Sequence, residues 1–134
     1  YCCSESVTDE QKEFVNKLCS SFGKVMPLSE SYFPLFCSIA GCAPAYAYMF
    51  IDSLARSAVK NGMNKSVALE IAAQTVLGSA KKILESDEHP WELIDKECSP
   101  GGTTIEGIVS LQKDGFESAV CNAVDAALQK DKKV

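Results

Sequence analysis

The stretch from Ser31 to Ile51 contains no charged residue, and no other feature of the sequence restricts the fold as strongly. A membrane-spanning helix needs about 20 apolar residues in a row. Here Pro34, Gly41 and Pro44 interrupt the run, and Tyr32, Ser38, Tyr46 and Tyr48 add polar atoms to it. Gly41 and Pro44 are helix breakers in mid-stretch, so two shorter helices are expected, Tyr32–Ala40 and Ala45–Asn61. Helices apolar on every side belong in a buried core or an interface, and no membrane span is expected.

Helix signals surround this segment. Thr8 followed by Gln11 fits a capping box, and Phe14, Leu18 and Phe22 then recur on one face as far as Gly23. Lys24–Glu30 reads as a short edge strand, because Pro27 cannot donate to a ladder. Asn64 caps a long helix to about Glu85, with Ala68, Ala72, Val76, Ala80 and Leu84 in one stripe and Ile71, Leu77 and Ile83 beside it. Pro90–Lys96, Thr104–Lys113 and Phe116–Lys130 complete an all-α bundle, and the KDKKV end reads as a frayed tail. This is more apolar helix surface than 134 residues can cover alone, so a homodimer is expected.

Lys and Arg total 13 against 18 Asp and Glu, a net charge of −5. Nucleic-acid binding needs clustered positive charge, so that partner class is excluded. The seven cysteines stand at 2, 3, 19, 37, 42, 98 and 121 without a C-x-x-C pair, and His89 is the single histidine. That is no zinc pattern, and no metal is expected. An odd count and no apolar leader point to reduced, structural thiols in a cytoplasmic protein.

The run Ser99-Pro100-Gly101-Gly102-Thr103-Thr104-Ile105-Glu106 carries the clearest chemistry. A glycine turn feeding a helix presents unpaired N–H donors and the positive end of the helix dipole, which together attract an anion. Thr103 and Glu106 match a second capping box. With few basic residues nearby, a carboxylate suits the loop better than a polyphosphate; the plainer alternative is an ordinary capped turn. His89, directly before Pro90, reads as a structural residue at a helix start rather than a general acid. Tyr46, Tyr48 and Phe50 read as core or dimer contacts, and Glu5, Asp9, Glu10, Glu13 and Lys130–Lys133 as solvated faces.

SPGGTTIEGIVSLQKDGF, ending at Phe116, resembles the motif region of pyrroline-5-carboxylate reductases, the enzymes that make proline. PAYAYMFIDSLARSAVKNG (Pro44–Gly62), ALEIAAQTVLGSAKKILES (Ala68–Ser86) and His89-Pro90 are similar to the same family in the same order. The resemblance implies a Rossmann domain binding NADP or NAD, followed by an all-helical dimerisation domain of the kind found at the C-terminus of 6-phosphogluconate dehydrogenase. No G-x-G-x-x-G occurs in this chain. Residues 1–30 would then be the residual edge of the nucleotide-binding domain, and 31–134 the helical dimerisation and substrate-binding domain. By the same resemblance Thr104 is the catalytic proton donor to the ring nitrogen of 1-pyrroline-5-carboxylate. Ser99, Gly101, Gly102, Thr103 and Asp87 bind the substrate, and the cofactor-binding residues, left unidentified, fall mostly in the absent Rossmann domain. The family usually reads Ser-Gly-Ser-Gly-Pro-Ala-Tyr where this chain has Ile39-Ala40-Gly41-Cys42-Ala43-Pro44-Ala45-Tyr46. That departure leaves two alternatives: a non-catalytic dimerisation module, or a related imine or hydroxy-acid reductase of the same architecture.

Overall fold

The computed structural model describes residues 1–131; Lys132 and Lys133 of the expected solvated run, and the end of the tail, lie outside them. Helix α1 spans Asp9–Ser20. Its capping box is present: the Gln11 N–H donates to Thr8 Oγ1 at 3.3 Å, and the Thr8 N–H donates to Gln11 Oε1 at 3.0 Å. The helix stops before Gly23, at a Ser21 cap of right-handed backbone, so Gly23 is not its terminating residue. The Phe14, Leu18 and Phe22 stripe is exposed, Phe22 at 78%.

The expected strand at Lys24–Glu30 does not form; among the described residues there is no strand. A strand exists only through a ladder, and here the ladder has one rung before the 3₁₀ turn at Glu30. The Tyr1 amine donates to the Met26 carbonyl at 2.9 Å, and the Leu28 N–H donates to the Tyr1 carbonyl at 2.8 Å. Two bonds from one residue to positions either side of Pro27 have the pattern of a parallel pairing.

The uncharged stretch also departs from expectation, because Gly41 and Pro44 do not divide it. A 3₁₀ turn at Glu30–Tyr32, helix α2 at Phe33–Phe36, a π-helical stretch at Cys37–Cys42 and helix α3 at Ala43–Lys60 follow one another without interruption. Pro44 has no N–H, and its ring would press on the carbonyl four residues back. The wider i→i+5 turn just before it absorbs both effects. Ser38, almost fully buried within that stretch, donates its hydroxyl to the Pro34 carbonyl at 3.1 Å. The resulting helix, Glu30–Lys60, is long and apolar enough to cross a membrane by length and composition.

Helix α4, Lys65–Glu85, begins at the Asn64 cap, whose side chain accepts from the Ser66 N–H at 2.9 Å. It packs back along α3 as a helical hairpin, and the core of the chain is this seam: Ala55 against Ala68 and Ala72, flanked by Ile51 and Ala58. Small residues there let the helix backbones approach closely. Asp52 of α3 pairs with Arg56 one turn on and with Lys65 at the head of α4, which links the two helices on the side of their connecting turn. Helices α5 (Pro90–Glu97), α6 (Thr103–Lys113) and α7 (Phe116–Asp131) follow. Helix α7 returns to α3: the Tyr46 hydroxyl donates to the Ala123 carbonyl at 3.4 Å, and the Phe50 and Phe116 rings sit 5.9 Å apart. Tyr46 and Phe50 are thus packing residues, whereas Tyr48 is 70% exposed.

The chain exposes 10801 Å². A globular monomer of 14.4 kDa exposes about 6,800 Å². Large apolar side chains lie in that exposed surface, among them Met49, Leu77 and Leu84. The cysteines share this openness. All seven are free thiols and none is buried, so the expected role as small core hydrophobes does not hold within one chain.

Candidate functional site

The loop between α5 and α6 is built by its sequence. Ser99-Pro100-Gly101-Gly102 forms a turn closed by the Gly102 N–H donating to the Ser99 carbonyl at 2.9 Å. Gly101 has φ +68°, so the turn has the type II pattern, with Pro at its second position and Gly at its third. Gly102 then takes extended backbone, φ −78° and ψ 166°, and is itself the N-cap of α6.

The capping box expected of Thr103 and Glu106 is therefore absent. Thr103 is already the first helical residue, Thr104 the second, and no side chain caps α6. The type II turn sets the helix start one residue early, and a glycine cap has no oxygen to offer. The consequence is chemical. The Thr103 and Thr104 N–H groups stand at the positive end of the helix dipole without a side-chain acceptor. The Gly102 N–H, by contrast, is already engaged in the turn. Ser99, Gly101, Thr103 and Thr104 are all exposed, so within one chain the loop is an open turn and not the wall of a cleft.

Asp87 is exposed in the link between α4 and α5. Helix α5 separates it from the loop by about 12 Å of helical rise. His89 takes the structural role expected of it. Its Nδ1 accepts from the Trp91 N–H at 3.2 Å, while Glu92 accepts from the His89 N–H at 3.0 Å, a reciprocal cap on α5. Glu88 pairs with Lys96 across the same helix, and Lys96 holds the Glu88 carboxyl below the usual carboxylate range. Asp87 and Ser99 are thus set at opposite ends of one short, capped helix.

The sequence did not single out an apolar groove between α3, α6 and α7, a cavity of about 410 Å³ lined by Tyr46, Phe50, Leu54, Leu111, Phe116 and Val120 among others. Its signal in the sequence is the set of apolar positions along α7, Phe116, Ala119, Val120 and Ala123.

An all-α chain with one thin alanine seam and a large exposed apolar surface defines a helical assembly domain. Its family is specific: the profile described as pyrroline-5-carboxylate reductase dimerisation matches residues 30–134, and the chain belongs to that family. It is 41% identical over 128 residues to the pyrroline-5-carboxylate reductase of Escherichia coli strain K12, covering 96% of this chain and 48% of that protein. It is 38% identical over 129 residues to the enzyme of Glycine max, covering 96% and 47%. Among solved structures, it superimposes on a pyrroline-5-carboxylate reductase from Streptococcus pyogenes with a TM-score of 0.91 and 43% identity, covering 98% of this chain and 51% of that one. The pyrroline carboxylate reductase of Plasmodium falciparum, solved with NADP bound, gives a TM-score of 0.89 and 38% identity over 99% and 51%. The chain thus spans about half the length of the relatives it matches.

Proposed function

We propose that this chain is the helical half of a pyrroline-5-carboxylate reductase, which reduces 1-pyrroline-5-carboxylate to L-proline in proline biosynthesis. The observation that carries the reading is the match along 96% of the chain to relatives of that name, glycine loop included. In this reading the loop holds the substrate carboxylate on the Thr103 and Thr104 N–H groups and the Ser99 hydroxyl. Gly101 shapes the turn and Asp87 lines the site from the other end of α5. The Thr104 hydroxyl supplies the proton that the ring nitrogen takes up. A reduced nicotinamide, NADPH or NADH, is the hydride source. The described residues contain no strand–glycine–helix unit for a dinucleotide, so none of them is assigned to that cofactor.

Residues 1–30 are proposed as the closing edge of a nucleotide-binding domain, a reading supported by the parallel rung between Tyr1 and Leu28 and by the unpartnered apolar face of α1. The functional unit is proposed to be a homodimer. The surplus surface of about 4,000 Å² exceeds one side of an obligate interface. A second copy of the chain, rather than a bilayer, is proposed to cover the apolar side of Glu30–Lys60, a helix that also carries the Asp52–Arg56 ion pair. Seven free thiols favour a reducing, cytoplasmic setting.

The test is turnover. The full-length reductase carrying this domain should consume 1-pyrroline-5-carboxylate and NADPH or NADH and release proline. No turnover, with the dimer intact, would leave a dimerisation module without chemistry; preference for another imine or hydroxy acid would transfer the domain to a related reductase.

A further inference from the structure

We infer that Gly102 is a positioning residue, whose missing side chain fixes where the Ser99 hydroxyl stands. The inference rests on the carboxylate reading of the loop. A Cβ added at position 102 would lie 2.4 Å from Ser99 Oγ, 3.6 Å from Ser99 Cβ and 3.0 Å from the Ser99 carbonyl oxygen. The first distance is far inside contact, and the atom it meets is the one functional oxygen of the loop's first residue. The backbone angles of Gly102 lie in a region any residue adopts, so its identity is not demanded by conformation. Its N–H is already bonded to Ser99, so it is not needed as a free donor either. What remains is space. The Ser99 side chain folds over the Gly102 Cα at the mouth of α6, where the Thr103 and Thr104 donors begin. An alanine at 102 would push the hydroxyl into another rotamer, away from an anion held on those donors.

The experiment is a double-mutant cycle in the full-length reductase, using Ser99→Ala, Gly102→Ala and the double variant. It reads kcat and KM for 1-pyrroline-5-carboxylate, with the thermal midpoint and a crystal structure of Gly102→Ala. A hydrogen bond to a charged group sets the scale, so Ser99→Ala should raise KM by about 10- to 100-fold. Gly102→Ala should raise KM to a similar extent at nearly unchanged kcat, with Ser99 in a new rotamer. In the Ser99→Ala background the same glycine substitution should change KM by less than about threefold, because the crowded oxygen is gone. Equal effects in both backgrounds, or an unmoved Ser99 rotamer in Gly102→Ala, would overturn the inference. If Gly102→Ala fails to fold and the double variant folds, the clash runs through Ser99 Oγ as proposed; if neither folds, the backbone contact governs and the inference is wrong. An unchanged KM in Ser99→Ala would take the Ser99 hydroxyl out of the carboxylate cradle and overturn the functional part of the inference, even with the rotamer displaced in Gly102→Ala.

Discussion

A single residue of offset separates two chemistries at the α6 start. Were Thr103 the cap, its removal would cost about 1 kcal/mol. With Gly102 in that place, Thr103→Ala should shift the unfolding free energy by less than about 0.5 kcal/mol in urea titration. His89→Ala, which does remove a capping acceptor, should cost about 1 kcal/mol in the same measurement. At the level of turnover, Thr104→Ala in the full-length enzyme should lower kcat by roughly 10²-fold, the usual scale for losing a placed proton donor. Near wild-type kcat with an intact circular dichroism spectrum would take Thr104 out of the mechanism. The Thr8–Gln11 box was legible because the turn before it, closed by the Val7 N–H on the Ser4 carbonyl, ends just short of Thr8. The Thr103–Glu106 box was not, because the type II turn chose the start of the helix.

The hairpin of α3 and α4 is held by its alanine seam, and the exposed ion pairs at Asp52 add modestly to it. Lys65 first, and then Arg56, hold the Asp52 carboxyl below the usual carboxylate range. A carboxyl depressed in the folded state contributes stability at pH values above its unfolded pKa and loses it as pH falls through the folded pKa. The difference in thermal midpoint between wild type and Asp52→Asn should therefore be present at neutral pH and shrink on acidification below the ordinary carboxylate range. A carbon-13 titration of the Asp52 carboxyl gives the direct check, and an unperturbed titration would remove the clasp as a cause. At this scale the helices α3 to α7 were readable from spacing and caps. The continuous helix through Pro44 was not, since a π-turn leaves no mark in a pattern of apolar positions.

The whole molecule has too little interior to stand alone. Among the described residues its core is three buried alanines with two partly buried neighbours, while Leu77 and Leu84 lie open. Sedimentation of the chain at micromolar concentration should show a dimer, and Leu77→Asp together with Leu84→Asp should weaken it. A well-folded monomer under those conditions would contradict the interface reading. Calorimetry of the same chain with NADPH should show no micromolar binding, because a dinucleotide site needs a strand-to-helix glycine turn that the described residues lack.

The sequence by itself determined the helical class, the order and approximate limits of α3 to α7, the glycine turn that leads into α6, and the structural part played by His89. These rest on interactions between residues a few positions apart, and such interactions are written in local spacing. Only the structure decided that Lys24–Glu30 has a single ladder rung and forms no strand, that Pro44 lies within a continuous helix, that the cysteines are not core residues and that the Gly102 N–H is already engaged. The missing partner strand and the uncovered cysteines depend on what the chain meets across the fold, whereas the wider turn before Pro44 and the closed turn at Gly102 are local geometries that a pattern of apolar positions does not record. Periodicity records which residues prefer burial, and only packing decides whether anything is there to bury them.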